Sequence, residues 1–368
     1  MHILHLGKYY TPHRGGIERV LESLCRGVVE RGHEVTALVS NSAPHTVDEE
    51  LHGVRVLRLA RPAVVRSQPL NTALLGALQQ LDFDVLHVHT PNPVAALVAL
   101  AAARGRPIVV SHHSDIVQQK LLGVPGTLAH AALYARASTV VVATPPQVAH
   151  SPLLRRFRDK CRVIPFAAPS HTPRALEPAP LPAAFGAEPF ALFVGRLVHY
   201  KGLHVLIDAL SRCRDLRLAI VGTGPLRQRL ERQIGEAGVQ ERVALLGDVE
   251  EGALQSLYAA CRFLVLPSIA RSEAFGMVQL EAMAAGRPVL STNLPSGVPY
   301  VNQHQRTGLL VEPGDSTGLA AAMQRLADDE ELCARLGRAG RARAGREFAL
   351  NNVLEQWLDV YTELEKAD

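Results

Sequence analysis

Two doubly wound α/β domains joined by a hinge are what this sequence predicts, on three observations. Short, nearly continuous apolar runs alternate with helical stretches through both halves of the chain, the pattern of parallel sheets covered on both faces. One stretch, 165–189, interrupts that rhythm with seven prolines. The length, 368 residues, leaves room for two or three domains.

The elements follow in order. HILHL (2–6) is the first strand, followed by the Gly15-Gly16 turn and an amphipathic helix over 17–31. EVTALVS (34–40), VRVLRL (54–59), DVLHVH (84–89), PIVVS (107–111), STVVVAT (138–144) and CRVIPF (161–166) continue the series, mostly with helical stretches between them. The proline-rich stretch reads as a semi-rigid linker. The alternation restarts with ALFVG (191–195), RLAIVG (217–222), VALLG (243–247), FLVLP (263–267), PVLST (288–292) and GLLVE (308–312). Three helices, about 316–328, 330–347 and 350–365, close the chain. The organisation is a first domain over 1–168, a linker over 169–189, a second domain over 190–348 and a terminal helix over 349–368. In such sheets ligands sit outside the carboxyl ends of the strands, so the residues after each strand are where function is sought.

Composition excludes several classes. An apolar fraction of 47% with 20% charged residues rules out a disordered chain, a fibre or a coiled coil. The longest apolar run, Val94 to Ala103, has ten residues, against about 20 for a membrane-spanning helix. Residues 1–7 read as a strand rather than a signal peptide, because no basic segment precedes the apolar one. Five dispersed cysteines without a Cys-x-x-Cys pair fit a reduced, cytoplasmic protein. Charge is uneven: residues 1–175 hold 19 Lys+Arg to 11 Asp+Glu, residues 176–368 hold 20 to 24, and 13 of 16 His precede residue 176. Such asymmetry suggests a face for anions such as phosphates, anionic lipid or nucleic acid, or else a chance imbalance of surface charge. With 5% aromatics the chain lacks the interleaved stacking residues of a nucleic-acid binder.

Several motifs carry chemistry. Gly15-Gly16 opens a helix after the first strand; glycine admits a close-lying anion and the helix N–H groups receive it, although a plain turn explains the pair as well. FVGRLVHYKG (193–202) ends a strand at Gly195 and sets Arg196 and Lys201 five residues apart in a loop flanked by glycines. Two such cations can clamp a diphosphate, Arg as a fork and Lys as a point charge, unless both are solvated surface charges. IVGTGPLRQRLE (220–231) reads as strand, Gly-x-Gly-Pro turn and helix, with Pro225 suited to the first helical turn; it is competent for phosphate or a simple connection. In SEAFGMVQLEAMAAGRPVL (272–290), Ser272 or Glu273 is placed to cap a helix starting near Phe275 or Gly276, and Glu281 lies two turns along it. Gly276 would bare backbone N–H groups for a phosphate. A carboxylate beside a phosphate site is electrostatically costly unless it binds sugar hydroxyls, which gives Glu273 a role beyond structure. DFD (82–84) could pass for a metal-binding Asp-x-Asp, but it precedes its strand and so lies at the wrong end of the sheet. RRFRDKCR (155–162), five cations in eight residues, is a solvated helix end or part of a membrane-facing patch.

FVGR…KG, GxGP and Glu-x7-Glu followed by AxxAGxPV, in this order and spacing and together with GGIER and SHHSD, resemble the retaining glycosyltransferases of family 4, which have the GT-B architecture. The resemblance covers essentially the whole chain. It implies two Rossmann-like doubly wound parallel-sheet domains facing a cleft, the first for the acceptor and the second for a nucleotide-sugar donor, with no metal and no other cofactor. It also implies a last helix that crosses back onto the first domain. Carried over by motif, Arg196 and Lys201 hold the donor diphosphate, Glu281 the ribose hydroxyls and Glu273 the transferred sugar. Phe275, Gly276, Met277 and Val278 offer backbone at the phosphates, and Gly16 approaches them from the other domain. The family's histidine aligns with His113, near the 6-hydroxyl of the sugar and the reacting centre, with His112 as the competing assignment.

One departure narrows the reading. Where many relatives carry Gly-Gly-x-Pro-Glu, this chain reads LPSGVPYVNQ (294–303), with Tyr300 in place of Glu. That variant resembles bacterial mannosyl- and D-rhamnosyltransferases that build O-antigen and other surface polysaccharides from GDP-sugars. In GDVEEG (247–252), Glu251 could accept from guanine N1–H and N2–H₂, or Glu250 and Glu251 simply begin the next helix. The implied enzyme is a retaining mannosyltransferase using GDP-mannose, with a polyprenyl-diphosphate-linked glycan as acceptor. Its implied station is peripheral, at an anionic membrane surface on the inner face of the cytoplasmic membrane. A D-rhamnosyl or UDP-hexose transferase is the alternative. A nucleotide-sugar epimerase of the same architecture would lack the Arg/Lys and Glu-x7-Glu set, and a binding-only relative would be expected to have lost Glu273 or Lys201.

Overall fold

The structure, a computed structural model, describes residues 1–366 except 14, 61–62, 66–67, 72, 104, 116–122, 170–178, 183–184 and 187. The chain divides into two compact units, Met1–Phe166 with Asn351–Asp368, and Ala167–Leu350. Most of the last helix, Leu350–Glu365, therefore folds with the first unit. Of the linker expected over 169–189, residues 170–178, 183–184 and 187 lie outside the described residues.

The first unit is built on an eight-stranded sheet. Its strands are β1 (His2–Leu6), β2 (Glu34–Ser40), β3 (Val47–Leu51), β4 (Val54–Leu59), β7 (Val85–Thr90), β8 (Ile108–His112), β9 (Thr139–Val142) and β10 (Cys161–Val163), in the order β10-β9-β8-β7-β1-β2-β4-β3. Between β4 and β7 the short strands β5 (Ala63–Val65) and β6 (Gln68–Leu70) form a separate hairpin. The sheet is parallel except for β3, which runs antiparallel to β4 at the edge. That strand escapes the sequence reading because VDEEL is acidic and half exposed. Charges suit an exposed edge, and Arg55 anchors it to Asp48 at 2.8 Å.

The period-2 alternation of strands sorts β1, β7 and β8 into two unlike faces. Leu4, Leu6, Leu86, Val88, Ile108 and Val110 enter the aliphatic core shared with Leu133 and Tyr134 of helix Gly123–Arg136. His5, His87, His89 and Ser111 stand on the opposite face, in register across the strands. The last helix covers this polar face: the Trp357 and Tyr361 rings lie 4.9 and 5.9 Å from the His87 ring. Its Leu354 presses onto helix Gly16–Val29 at Gly27, where a Cβ would stand 2.3 Å from Leu354 Cδ1. Arg162 fixes the far end through Glu363 at 2.8 Å.

The second unit has a six-stranded, all-parallel sheet. Its strands are β11 (Phe190–Val194), β12 (Arg217–Val221), β13 (Val243–Gly247), β14 (Phe263–Leu266), β15 (Val289–Thr292) and β16 (Gly308–Val311), in the order β13-β12-β11-β14-β15-β16. The order reverses at β11 and β14, the switch point where such sheets bind ligands. Among the described residues no helix is long and apolar enough to cross a membrane.

Candidate active site

The site in the second unit is made by the loops that leave the carboxyl ends of its strands. Three are laced together: Gly195 N donates to Val221 O at 3.0 Å, Leu197 N to Thr223 O at 2.9 Å, and Gly222 N to Gly247 O at 2.6 Å. Gly222 has φ +128, and a Cβ there would stand 2.1 Å from Gly195 O; one on Gly224 would stand 2.5 Å from Leu197 O. The Gly-x-Gly pair is thus required by packing against the neighbouring loop. Pro225 lies in the turn ahead of helix Arg227–Glu236 rather than in its first turn, which corrects the sequence reading.

Lys201 ends a short turn, His199–Lys201, and Gly202 follows in the left-handed region at φ 70. Any Cβ on Gly202 would stand 2.0 Å from Pro267 O, so the glycine lets this loop close on the end of β14. Tyr200 O accepts from Ile269 N at 2.8 Å and completes the junction. Across it, Lys201 Nζ lies 2.6 Å from Glu273 Oε2. Ser268 Oγ donates to the same carboxylate oxygen at 2.8 Å, and Thr292 Oγ1 holds the Ser268 carbonyl at 2.6 Å. Lys201 is 9% exposed and Glu273 7%. Burial alone would depress the Lys201 ammonium, but the Glu273 carboxylate and Tyr200 outweigh it and its pKa rises. Lys201 is therefore already paired, and Arg196 is the exposed cation of the same loop.

Glu273 does not cap the following helix, nor does Ser272. That helix is Met277–Ala284, and its N-cap is Gly276 in the left-handed region at φ 74, with no side-chain cap. The capping expectation fails because the helix starts beyond both residues and Glu273 is held by Lys201 and Ser268, leaving the first-turn N–H groups without a side-chain acceptor. Phe275 is buried near Phe348, ring centroids 6.2 Å apart, so only its backbone is available to a ligand. Met277 and Val278 are half-buried. Glu281 lies buried along the helix and accepts from Tyr258 Oη at 2.5 Å. Glu250 stands at the N-cap position of helix Glu251–Ala260 without a side-chain cap, and exposed Glu251 is its first residue. The departure at Tyr300 is structural: its ring packs 5.5 Å from the Arg343 guanidinium.

In the first unit, Gly16 is exposed at the start of helix Gly16–Val29, with open space where a Cβ would be. Gly15 is tighter, since a Cβ there would stand 2.0 Å from Glu18 Oε2. The two histidines of SHHSD part company. His112 Nδ1 meets Tyr134 Oη at 2.7 Å and its Nε2 lies 3.6 Å from Asp115. His113 Nε2 instead meets His89 Nδ1 at 2.9 Å. At the opposite end of the sheet, Asp84 accepts from the His2 backbone N–H at 2.7 Å, so the DFD segment is anchored away from the strand ends.

Comparison with known proteins decides the family. Residues 182–343 match the model described as glycosyl transferases group 1, and residues 14–167 match glycosyltransferase family 4. An O-antigen chain mannosyltransferase of Escherichia coli is 32% identical over 369 residues, 99% of each chain. The chain belongs to the family 4 glycosyltransferases. A D-rhamnosyltransferase of Pseudomonas aeruginosa is also 32% identical to this glycosyltransferase, over 95% of its chain and 92% of the relative's. Among solved structures, a sucrose-phosphate synthase of Thermosynechococcus elongatus superposes with a TM-score of 0.82 at 22% identity over all of both chains. An Anabaena HepE structure in complex with UDP and glucose gives 0.76 at 21% over 99% of this chain and 100% of that one. These two share the GT-B fold with this glycosyltransferase.

Within the second unit, then, the glycosyltransferase brings Lys201 and Glu273 into contact and sets Arg196 on the same loop as Lys201; Glu281 and Gly276 lie on or at the next helix. Two residues of this site escaped the sequence reading: Ser268, which follows FLVLP, and Tyr258, which lies in the last turn of helix Glu251–Ala260 with no motif around it. The rest of the histidine row was visible as HILH and HVH but unread, because only the fold shows that these side chains share one face.

That row, together with the buried His112 and His130, makes the first unit acid-sensitive. Burial holds His5 at a pKa of about 3 and both His112 and His130 at about 4, and pushes His87, His89 and His113 well below 6.5. Each is neutral when folded, whereas the unfolded chain takes up its proton below about 6.5, so the stability present above that pH is lost as pH falls toward the folded values. One such histidine is worth up to about 1.4 kcal/mol per pH unit. The guanidinium midpoint should hold between pH 8 and 7 and fall steeply between 6.5 and 4; a midpoint flat down to pH 4.5 would contradict the assignment of neutral buried histidines.

Proposed function

We propose that this glycosyltransferase moves mannose from GDP-mannose, with retention of configuration and without a metal, to a polyprenyl-diphosphate-linked glycan in the building of an O-antigen or related lipopolysaccharide. The observation that carries the reading is the buried Lys201–Glu273 pair at the sheet's switch point, beside an uncapped helix N-terminus. The name of the Escherichia coli relative supports mannose and the O-antigen. D-rhamnose is the second reading, supported by the equally similar Pseudomonas aeruginosa relative.

In this proposal the acceptor hydroxyl oxygen forms its bond to the anomeric carbon on the face from which the diphosphate departs. The electron pair of the broken bond leaves with the diphosphate, and a donor phosphate oxygen takes the hydroxyl proton. Lys201, Arg196 and the N–H groups from Gly276 to Val278 stabilise the charge that develops on the diphosphate. Glu273 binds the transferred sugar and orients Lys201. Glu281, steadied by Tyr258, takes the ribose hydroxyls, and Glu251 accepts from guanine. Gly16 is assigned to the phosphates and His113 to the sugar.

The donor assignment is tested by calorimetry. GDP should bind more tightly than UDP, and Glu281→Ala should lower GDP affinity by the worth of a charged hydrogen bond, about 1.5–3 kcal/mol. Tyr258→Phe should act in the same direction but less. UDP binding at least as tight as GDP removes the guanine reading, and unchanged GDP affinity in Glu281→Ala removes the ribose reading.

The membrane part of the proposal is supported by exposed leucines and arginines in the first unit. Leu97 is 59% exposed and Leu128 64%, on the adjacent helices Pro93–Ala102 and Gly123–Arg136. Of the five cations in 155–162, Lys160 donates to Ala135 O and Ala137 O and Arg162 pairs with Glu363, while Arg155, Arg156 and Arg158 remain exposed. Co-sedimentation should rise with the anionic lipid content of vesicles and weaken with salt. Equal sedimentation with neutral and anionic vesicles would rule the surface out.

A further inference from the structure

Three imidazoles run in series through the polar face of the first unit. His5 Nδ1 meets His89 Nε2 at 3.0 Å, and His89 Nδ1 meets His113 Nε2 at 2.9 Å. The rings of His89 and His113 stack at 5.2 Å, and Phe166 stacks on His113 at 5.5 Å. At one end His5 Nε2 is buried without a partner among the described residues. No carboxylate is ion-paired or hydrogen-bonded to any of the three among the described residues; His87 and His112 are nearby titratable groups. Burial keeps all three neutral at ordinary pH.

Neutrality fixes the proton count. Three neutral imidazoles carry three N–H groups on six ring nitrogens. Each of the two N···N contacts holds one, and the third proton must sit at an end: on His5 Nε2 or on His113 Nδ1. An N–H on His5 Nε2 would be a buried orphan donor, the rarer and costlier kind of unsatisfied group. The remaining arrangement has every ring as the Nδ1–H tautomer, with all donors running from His5 toward His113.

We propose that His5 and His89 are positioning residues that lock His113 as a neutral Nδ1–H hydrogen-bond donor, so that His113 offers the transferred sugar an N–H and cannot act as a base. The claim about the sugar rests on the function proposed above; the tautomer claim does not. A metal ion is the competing use of this face, because nitrogens of His5, His87 and His89 lie within 4.8 Å of one another. Both nitrogens of His87 are engaged, however, with Tyr361 Oη at 2.7 Å and Ser111 Oγ at 2.8 Å. With His5 Nδ1 and His89 Nε2 facing each other, His5 Nε2 alone of these six nitrogens lacks a partner among the described residues, too few for a metal.

Nitrogen-15 NMR of the histidine-labelled full chain reads the tautomers directly, alongside metal analysis of the same sample. The expected result is the Nδ1–H form for His5, His89 and His113 at pH 7. An Nε2–H or doubly protonated His113, or a metal bound at His5, His87 and His89, overturns the proposal. Kinetics supply the second arm. His5→Leu should move His113 to a tautomer mixture and lower kcat by about tenfold or more, as for lost outer partners, with KM for the donor held. His113→Gln, which keeps an N–H donor, should retain more turnover than His113→Leu, which should lose about a hundredfold. Unchanged kcat and an unchanged His113 spectrum in His5→Leu refute the lock. Full turnover in His113→Leu with the tautomers as expected refutes only the sugar contact.

Discussion

The second unit's site hangs on one buried ion pair. Lys201 and Glu273 meet at 2.6 Å, and they come from loops that follow different strands, β11 and β14. Their pairing ties those loops together at the switch point of the sheet. Removing either partner would strand a buried charge, at a cost of about 3–5 kcal/mol. The pair also sets the character of the site. Lys201 is fixed in place before any ligand arrives, and Glu273, once engaged, is withdrawn from the helix cap. The helix N-terminus stays open because the carboxylate that could have closed it is held elsewhere.

Backbone geometry makes that pairing possible. Gly202 passes within a carbonyl's reach of Pro267, and Gly222 and Gly224 nest against Gly195 and Leu197. These contacts pack together the loops that follow β11, β12 and β14. The first unit solves a different problem with a similar economy of parts. Its polar sheet face carries four imidazoles in place of aliphatic side chains, kept neutral by burial and roofed by Trp357 and Tyr361 from the end of the chain.

Much of this was legible in the sequence, for reasons that differ by element. The strands of both sheets could be read because fully buried parallel strands are apolar runs between helices. Arg196, Lys201 and Glu273 were singled out because they follow strand ends in a recognisable order, and Glu281 because it lies along the helix Met277–Ala284 that follows. Helix capping was misread: Ser272 and Glu273 have the right residue types, but the helix starts beyond them, with Gly276 at its N-cap, and Glu273 is paired with Lys201 and Ser268. The acidic edge strand Val47–Leu51 was missed because its composition suits a loop. Tyr258 and Ser268 were missed because each acts through a partner distant in sequence, which no local pattern reveals. The histidines were counted but not connected, since their chain depends on register between β1, β7 and β8.

The central claim is that Lys201 is a diphosphate-binding cation held ready by a carboxylate whose own task is the sugar. The most direct test is the GDP affinity of Lys201→Met and Glu273→Gln by calorimetry, with turnover measured on the same folded samples. The account predicts that Lys201→Met loses a charge-assisted contact worth about 1.5–3 kcal/mol. It predicts that Glu273→Gln keeps GDP affinity within about threefold while turnover collapses. Wild-type GDP affinity in Lys201→Met, or full turnover in Glu273→Gln, would contradict it.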